Sequence, residues 1–272
     1  MTAVLDEAAF VVGMETSGET RDAIMALGHS AISIDLLPHQ KGGPHHVGDV
    51  FEYLEGRRFR FGLFHPTCTY HTGSAAWAFN DADFTRYPGV GYHQRVKADT
   101  LTGQARRDAR AAAERDVQRI RYLPFPKAIE NPVGTLSRPA NLGVPSDIVQ
   151  PYEFGSDASK KTCLWFFDAA GQPLNLKLPR DPAAYVKPRL YCPSCRKCST
   201  YDAAFTTGCT HCGAEAGLLR PRWANQTDTG QNALTPGDNR WQVRSDTYPG
   251  IAAALARIIT EYSPGPRTGL FD

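Results

Sequence analysis

The sequence predicts an α/β fold, with a mostly parallel sheet covered by helices on both faces and a metal-binding segment inserted late in the chain. Three observations carry this. Short apolar runs bounded by turn residues alternate with helical patterns in the order β-α-β-β-α, as crossover connections between parallel strands require. A stretch from about 170 to 240 is rich in Pro, Gly, Cys and Arg and lacks apolar periodicity, yet an amphipathic helix follows it. Two CxxC pairs stand inside that stretch.

Taken in order, AAFVV at 8–12 reads as the first strand, and SGETRDAIMALG from Ser17 to Gly28 as a helix with a polar start and a glycine stop. HSAISIDLL makes the second strand, ending at Asp35, and the turn-rich PHQKGGPHH and a GDV segment follow. FRFGLF at 59–64 is the third strand, and KADTLTGQARRDARAAAERDVQRI at 97–120 a long helix. KAIEN at 127–131 and TCLWFF at 162–167 are further strands. YPGIAAALARIITEY closes the pattern as a helix with Pro249 early in its first turn.

Composition bounds the function. A chain of 272 residues, 42% hydrophobic and 21% charged, builds one sizeable core or a core plus a small module. The N-terminal MTAVLDEAAFVV carries acids where a secretory signal carries bases, and no apolar run approaches the roughly 18 residues that cross a bilayer. The expectation is a cytoplasmic protein with no membrane partner. Of the seven cysteines, four fall in the CxxC pairs, which in a reducing compartment reads as metal binding rather than disulfides. A net charge of +2 neither demands nor excludes nucleic acid.

In open α/β sheets ligands collect beyond the carboxyl ends of the strands. There the first strand leads into Gly13-Met14-Glu15-Thr16-Ser17-Gly18, the second into Asp35, the third into His65-Pro66-Thr67-Cys68, and KAI into Glu130-Asn131-Pro132.

In this order the segments resemble the C5-cytosine DNA methyltransferase family, and more closely its small phage-type branch. GMETSGETRDAIMALGH is similar to the family's glycine motif, SIDLLP to its ribose-contacting acidic segment, and GDV to its adenine segment. HPTCTY resembles the motif of the catalytic cysteine and IENP the Glu-Asn motif, while RWANQTDTGQN and RSDTYPGIAAALA resemble the closing segments of the phage branch. Thr67 and Pro132 stand where the family usually has Pro and Val. The resemblance implies a Rossmann-like methyltransferase fold, DNA as partner, and a host-cell cytoplasm as the place of work if the chain is phage-encoded. It implies S-adenosylmethionine, held by Gly13, Glu15, Ser17, Gly18, Asp35 and Asp49, with Thr247 and Pro249 closing the pocket. A helix N-terminus near Ser17 suits a carboxylate and an acid after the next strand suits a ribose diol, and this cofactor carries both groups.

The chemistry independently asks for such a pair. Cytosine C5 is a poor nucleophile until a thiolate adds at C6, which makes Cys68 the candidate nucleophile. A carboxyl group at the base's pairing edge eases that attack, the role of Glu130, and Asn131 is placed to hold the Cys68 loop. Lys160 and Lys161 fall where the family has a basic motif near the base and the backbone. Cys163 reads as core, the histidines 45, 46 and 71 as loop polar residues, and the arginines of the long helix (106, 107, 110, 115 and 119) as a solvated face.

Cys192-x2-Cys195 and Cys209-x2-Cys212, 13 residues apart, have the spacing of a tetrahedral zinc site. Cys198 leaves a second choice for the first pair, and His211 is a weaker candidate. The expected layout is a catalytic core at 1–170, an inserted zinc ribbon at 171–221 where larger family members carry target recognition, and a return to the core at 222–272. Arg196, Lys197, Arg220 and Arg222 flank the cysteines and suit phosphates or simply solvent. Two rivals stand beside methyl transfer: another C5-pyrimidine modification with a different electrophile, and a catalytically silent DNA-binding relative.

Overall fold

The computed structural model describes residues 8–81, 100–201, 207–234 and 246–263. Lys97–Asp99 of the expected long helix, and Arg244 and Ser245 of the closing segment, lie outside the described residues.

One sheet organises the core. Its strands are β1 (Phe10–Gly13), β2 (Ala31–Asp35), β3 (His45–Val47), β4 (Phe61–Phe64), β5 (Lys127–Pro132), β6 (Asp147–Val149) and β7 (Thr162–Phe167), in the order β3-β2-β1-β4-β5-β7-β6. The strands β3, β2, β1, β4 and β5 pair parallel, whereas β7 runs antiparallel to both β5 and β6. β8 (Pro173–Leu174) extends the sheet from β7, so the first residues of the Pro- and Gly-rich stretch stay with the core. This is a mixed α/β, Rossmann-like sheet. It differs from the 3-2-1-4-5-6 dinucleotide order by a reversed strand inserted beside β5.

Helices cover both faces. α1 (Glu19–Ala26) and α4 (Pro249–Glu261) pack on one side against Phe10, Val12, Phe61, Leu63, Leu164 and Phe166. α2 (Val50–Leu54) and α3 (Gly103–Arg121) pack on the other against Val11, Ile34, Ile129, Trp165 and Phe167. Coverage on both faces explains why β1, β4 and β7 are buried at every residue and read as unbroken apolar runs. Cys163 is part of that core, as its place in TCLWFF suggests.

The short elements are the ones the sequence hides. The stretch read as PHQKGGPHH turns contains β3, whose three residues pair with β2 at the sheet edge. Arg21, fully buried on α1, holds the preceding loop by donating to Pro44 O and Gly42 O, and also bonds Ser33 and Asp22. Three or four residues with no apolar period leave no pattern to read; tertiary hydrogen bonds define them instead.

Lys127 opens β5 in full burial, donating to Leu123 O at 2.7 Å just past α3. Burial, with Arg121 adding, lowers its pKa from the usual 10.5 to about 8. Between those values the unfolded chain holds a proton that the folded chain has released, so stability rises with pH across that window. Lys127→Met should abolish this slope and raise stability at pH 7 by on the order of 1–2 kcal/mol. Urea unfolding of both proteins at pH 7 and pH 10 checks this, and equal slopes would refute it.

Candidate active site and metal centre

The strand order reverses at β1, which has β2 on one side and β4 on the other, so a crevice opens where their following loops diverge. The glycine segment leaves β1 and the Cys68 loop leaves β4 at this point. His65 N donates to Gly13 O at 3.0 Å, which makes the two loops neighbours at their roots.

The parallel register of β4 and β5 pairs Phe64 with Ile129, so His65 and Pro66 run on beside Glu130 and Asn131. Side chains complete the ladder. His65 Nδ1 lies 3.0 Å from Glu130 Oε2, and Asn131 Nδ2 donates to Pro66 O at 2.8 Å. Cys68 is exposed just beyond, its carbonyl accepting from His71 N at 3.0 Å and Thr72 N at 3.3 Å. The far side of the loop is held by Thr135 N, which donates to His71 O at 2.9 Å, and by Arg106, whose Nη2 donates to Thr69 O at 2.9 Å.

Glu130 is shielded, its side chain 13% exposed. Burial works against its charge, but the His65 hydrogen bond, the Lys160 charge and the Thr162 hydroxyl outweigh it and hold the carboxyl below its usual range. The resting group is therefore a carboxylate. Lys160 Nζ also donates to Asp246 O at 3.2 Å, which places it between Glu130 and the segment that opens α4. Lys161, next along the chain, is exposed.

The expected cofactor residues are distributed unevenly. Glu15 is buried and accepts from Gly18 N with both oxygens, at 2.8 and 2.9 Å, and from the Ser17 hydroxyl. It thus fills the N-terminus of α1 with a carboxylate from the chain itself. Gly18 caps that helix at φ 71°, where an added Cβ would also meet His39 and Arg21. A Cβ on Gly13 would stand 2.5 Å from the Phe64 ring, so its missing side chain is used by core packing. Asp35 ends β2, its Oδ1 accepting from Leu37 N at 2.9 Å; burial, with Glu15 adding, raises its carboxyl against the Leu37 amide and His45. Asp49 is exposed and caps α2, accepting from Phe51 N and Glu52 N. Thr247 is half-buried, and Pro249 sits exposed in the first turn of α4. Asp246, absent from the sequence expectation, joins this region: burial, then Glu15, raise its carboxyl, while Lys160 and Lys41 oppose.

The candidate metal centre is a separate construction. β9 (Arg189–Tyr191), β10 (Cys198–Ser199) and β11 (Arg220–Arg222) form a small antiparallel sheet in the order β10-β9-β11. CPSCRK and CTHCGA fold as the same turn: Cys192 N donates to Lys197 O and Arg196 N to Cys192 O, as Cys209 N does to Ala214 O and Gly213 N to Cys209 O. Arg196 at φ 59° takes the left-handed position that Gly213 fills in the second turn. Backbone N–H groups, of Cys195 and Ser194 in one turn and of His211 and Cys212 in the other, pull the Cys192 and Cys209 thiols below their usual pKa.

The Sγ atoms of Cys192, Cys195, Cys209 and Cys212 lie within 4.8 Å of one another, with 3.7 Å from Cys192 to Cys212 and 3.6 Å from Cys195 to Cys209. Zn–S bonds of about 2.3 Å in a tetrahedron require S···S edges of about 3.8 Å, so the donor set fits a metal ion such as zinc. Cys198 is directed to Asp228 Oδ1 at 3.4 Å, and His211 Nε2 to Cys198 O at 3.1 Å, which removes both alternative ligands. Downstream, Trp223 stacks on Tyr152 at 4.3 Å, and Asn225 clasps Ser159 twice, accepting from its N and donating to its O at 2.9 Å. The ribbon is thereby fastened to the loop that presents Lys160.

Two residues that support the Cys68 loop escape a sequence reading by motif. Arg106 is buried, contrary to the solvated face expected of α3, and its guanidinium lies over the Phe79 ring at 4.9 Å. Its spacing from Ala113, Val117 and Ile120, all buried, is the signal: it belongs to the inward stripe. Arg107, Arg115 and Arg119 are exposed and fit the expected face. His71 lies in the loop as expected but is buried there, with Nδ1 3.3 Å from Thr135 Oγ1.

Among the described residues no helix is long and apolar enough to cross a membrane. No protein-family model matches the chain, and no curated protein matches it in sequence.

Proposed function

We propose that the protein is a DNA cytosine-C5 methyltransferase using S-adenosylmethionine. The observation that carries this reading is the paired clamp between β4 and β5: His65 on Glu130 and Pro66 on Asn131 hold an exposed thiol and a shielded carboxylate at one end of neighbouring strands. Two groups held this way suit one flat heteroaromatic ring, attacked at one atom and held at its pairing edge. A cytosine taken out of the duplex exposes that edge. Cys68 Sγ bonds to C6, the C5–C6 double bond opens, and its electron pair moves to C5. After C5 takes a carbon electrophile, loss of its proton to solvent and departure of the thiolate restore the ring.

The side chains gathered beside α1 are acidic. Glu15 acts electrostatically on both Asp35 and Asp246, Glu19 acts on Asp246, and Lys41 is bonded to Glu19. Such a site repels the diphosphate of a dinucleotide and favours a cationic ligand. S-adenosylmethionine, when bound, supplies an electrophilic methyl group on a positively charged sulfur. Glu15 and Asp246 suit its positive groups and Asp35 its ribose diol. Zinc is the ion proposed for the four thiolates, with a structural role in presenting the ribbon to DNA.

Mass spectrometry of nucleosides from DNA of cells expressing the protein should show 5-methylcytosine, and calorimetry should show S-adenosylmethionine binding weakened about tenfold by Asp35→Ala. A different C5 substituent would move the reading to the rival electrophile. Unmodified DNA together with tight DNA binding would leave the silent relative.

A further inference from the structure

His65 is the first residue past β4 and stands opposite Glu130 in the parallel register. The two side chains are 10% and 13% exposed, and His65 Nε2 is buried with no hydrogen-bond partner among the described residues. A carboxylate only accepts, so Nδ1 carries the hydrogen of the bond to Oε2. Nε2 has no such acceptor among the described residues, so Nδ1 is the nitrogen through which His65 engages Glu130. Lys160 from the loop before β7, and Thr162 from β7 itself, face the same carboxylate, and Cys163 lies near it.

This arrangement bears on which ring the site accepts, given the reading of Cys68 and Glu130 above. A carboxyl group meets a pyrimidine edge with two hydrogen bonds only if the pair holds one extra proton. With cytosine that proton rests on ring N3, the carboxyl stays charged, and both N3–H and the 4-amino group donate to it. With uracil or thymine N3 already carries hydrogen and O4 is barely basic, so the extra proton must sit on the carboxyl itself. A donor fixed on the carboxylate favours the first case. We propose that His65 is a positioning residue that keeps the negative charge on Glu130 when the base is bound, driving the shared proton onto the ring and selecting cytosine over uracil and thymine.

The test uses the full-length protein in two measurements. Carbon NMR of glutamate-labelled protein follows the Glu130 carboxyl, assigned with Glu130→Gln, in wild type, His65→Ala and His65→Asn. The midpoint should rise in His65→Ala and return towards wild type in His65→Asn, whose amide can donate from nearly the same place. Covalent capture on random-sequence DNA carrying 5-fluorocytosine or 5-fluorouracil reads the selection. The preference for fluorocytosine should fall about tenfold in His65→Ala and recover in His65→Asn. An unmoved midpoint overturns the pair, and a moved midpoint with unchanged preference overturns the selection. Capture of neither base by wild type removes the active-site reading and the selection with it, whatever the midpoint does.

Discussion

DNA carrying 5-fluorocytosine at the target position is expected to trap the protein in a denaturation-resistant adduct through Cys68. Fluorine cannot leave C5 as a cation, so once the thiolate has added and C5 has taken its new carbon, the ring cannot regain its double bond. Full yield should require S-adenosylmethionine. Cys68→Ala removes the only atom that bonds to C6, so the adduct should vanish and modification of ordinary DNA should fall on the order of 10⁴-fold or more. Glu130→Gln keeps the shape but loses the charge that His65 and Lys160 stabilise, and should slow capture about 10²–10³-fold. A gel-shift under denaturing conditions reads both. An adduct that survives in Cys68→Ala would remove the assigned nucleophile, and one that forms only with another cofactor would identify a different transferred group.

Zinc removal is expected to have the second large effect. Purified protein should hold about one zinc per chain, because the four Sγ atoms lie within 4.8 Å of one another and two of their pairs already stand near a tetrahedral edge. Among the described residues the small sheet of β9, β10 and β11 has little apolar material of its own: Leu190 and Leu219 are its buried leucines beside Cys192 and Cys209, with Tyr201 and Ala214 partly buried against them. Structural zinc in peptides of this kind contributes about 10–16 kcal/mol, which exceeds what two leucines supply. Chelation, or Cys209→Ser, should therefore abolish protection of residues 189–222 in hydrogen exchange while β1, β4 and β5 stay protected. Cys198→Ser should retain the metal, since that sulfur bonds Asp228 outside the cluster. Loss of zinc in Cys198→Ser, or full protection without metal, would overturn the ligand set.

How far the sequence discloses these arrangements depends on the range of the cause. TCLWFF is β7 to the residue, because a strand buried on both faces must be apolar throughout. The CxxC pairs likewise carry their own geometry, since two residues between thiols fix the turn. What stays hidden is set across the chain. Motif reading nominates Cys68, Glu130 and Asn131 together, but that His65 meets Glu130 depends on β4 and β5 being parallel neighbours. Glu15 reads as a ligand contact, and only the folded turn shows it capping α1. Asp49 reads as a cofactor contact, yet it holds the first turn of α2. Arg106 looks like a solvated charge until its place on the inward stripe of α3 is counted.

The packing of α4 against α1 gives the chain a timetable. Ile251, Leu255 and Ile259 share a cluster with Ile24, Phe10 and Phe61, and Arg60 Nη2 donates to Thr260 O at 3.1 Å. About 220 residues separate the end of α1 from the start of α4. At roughly 5–20 residues per second, one face of the sheet waits about 10–45 s on the ribosome for the helix that covers it. All four metal-cluster cysteines emerge before that helix does. The four thiols can therefore come together while the sheet is still open, and Asn225 can fasten the segment to Ser159 before the last turn of α4 exists. Order of synthesis thus exposes the four thiols before α4 can cover the sheet, leaving α1, β1 and β4 in need of shelter from other apolar chains throughout the interval.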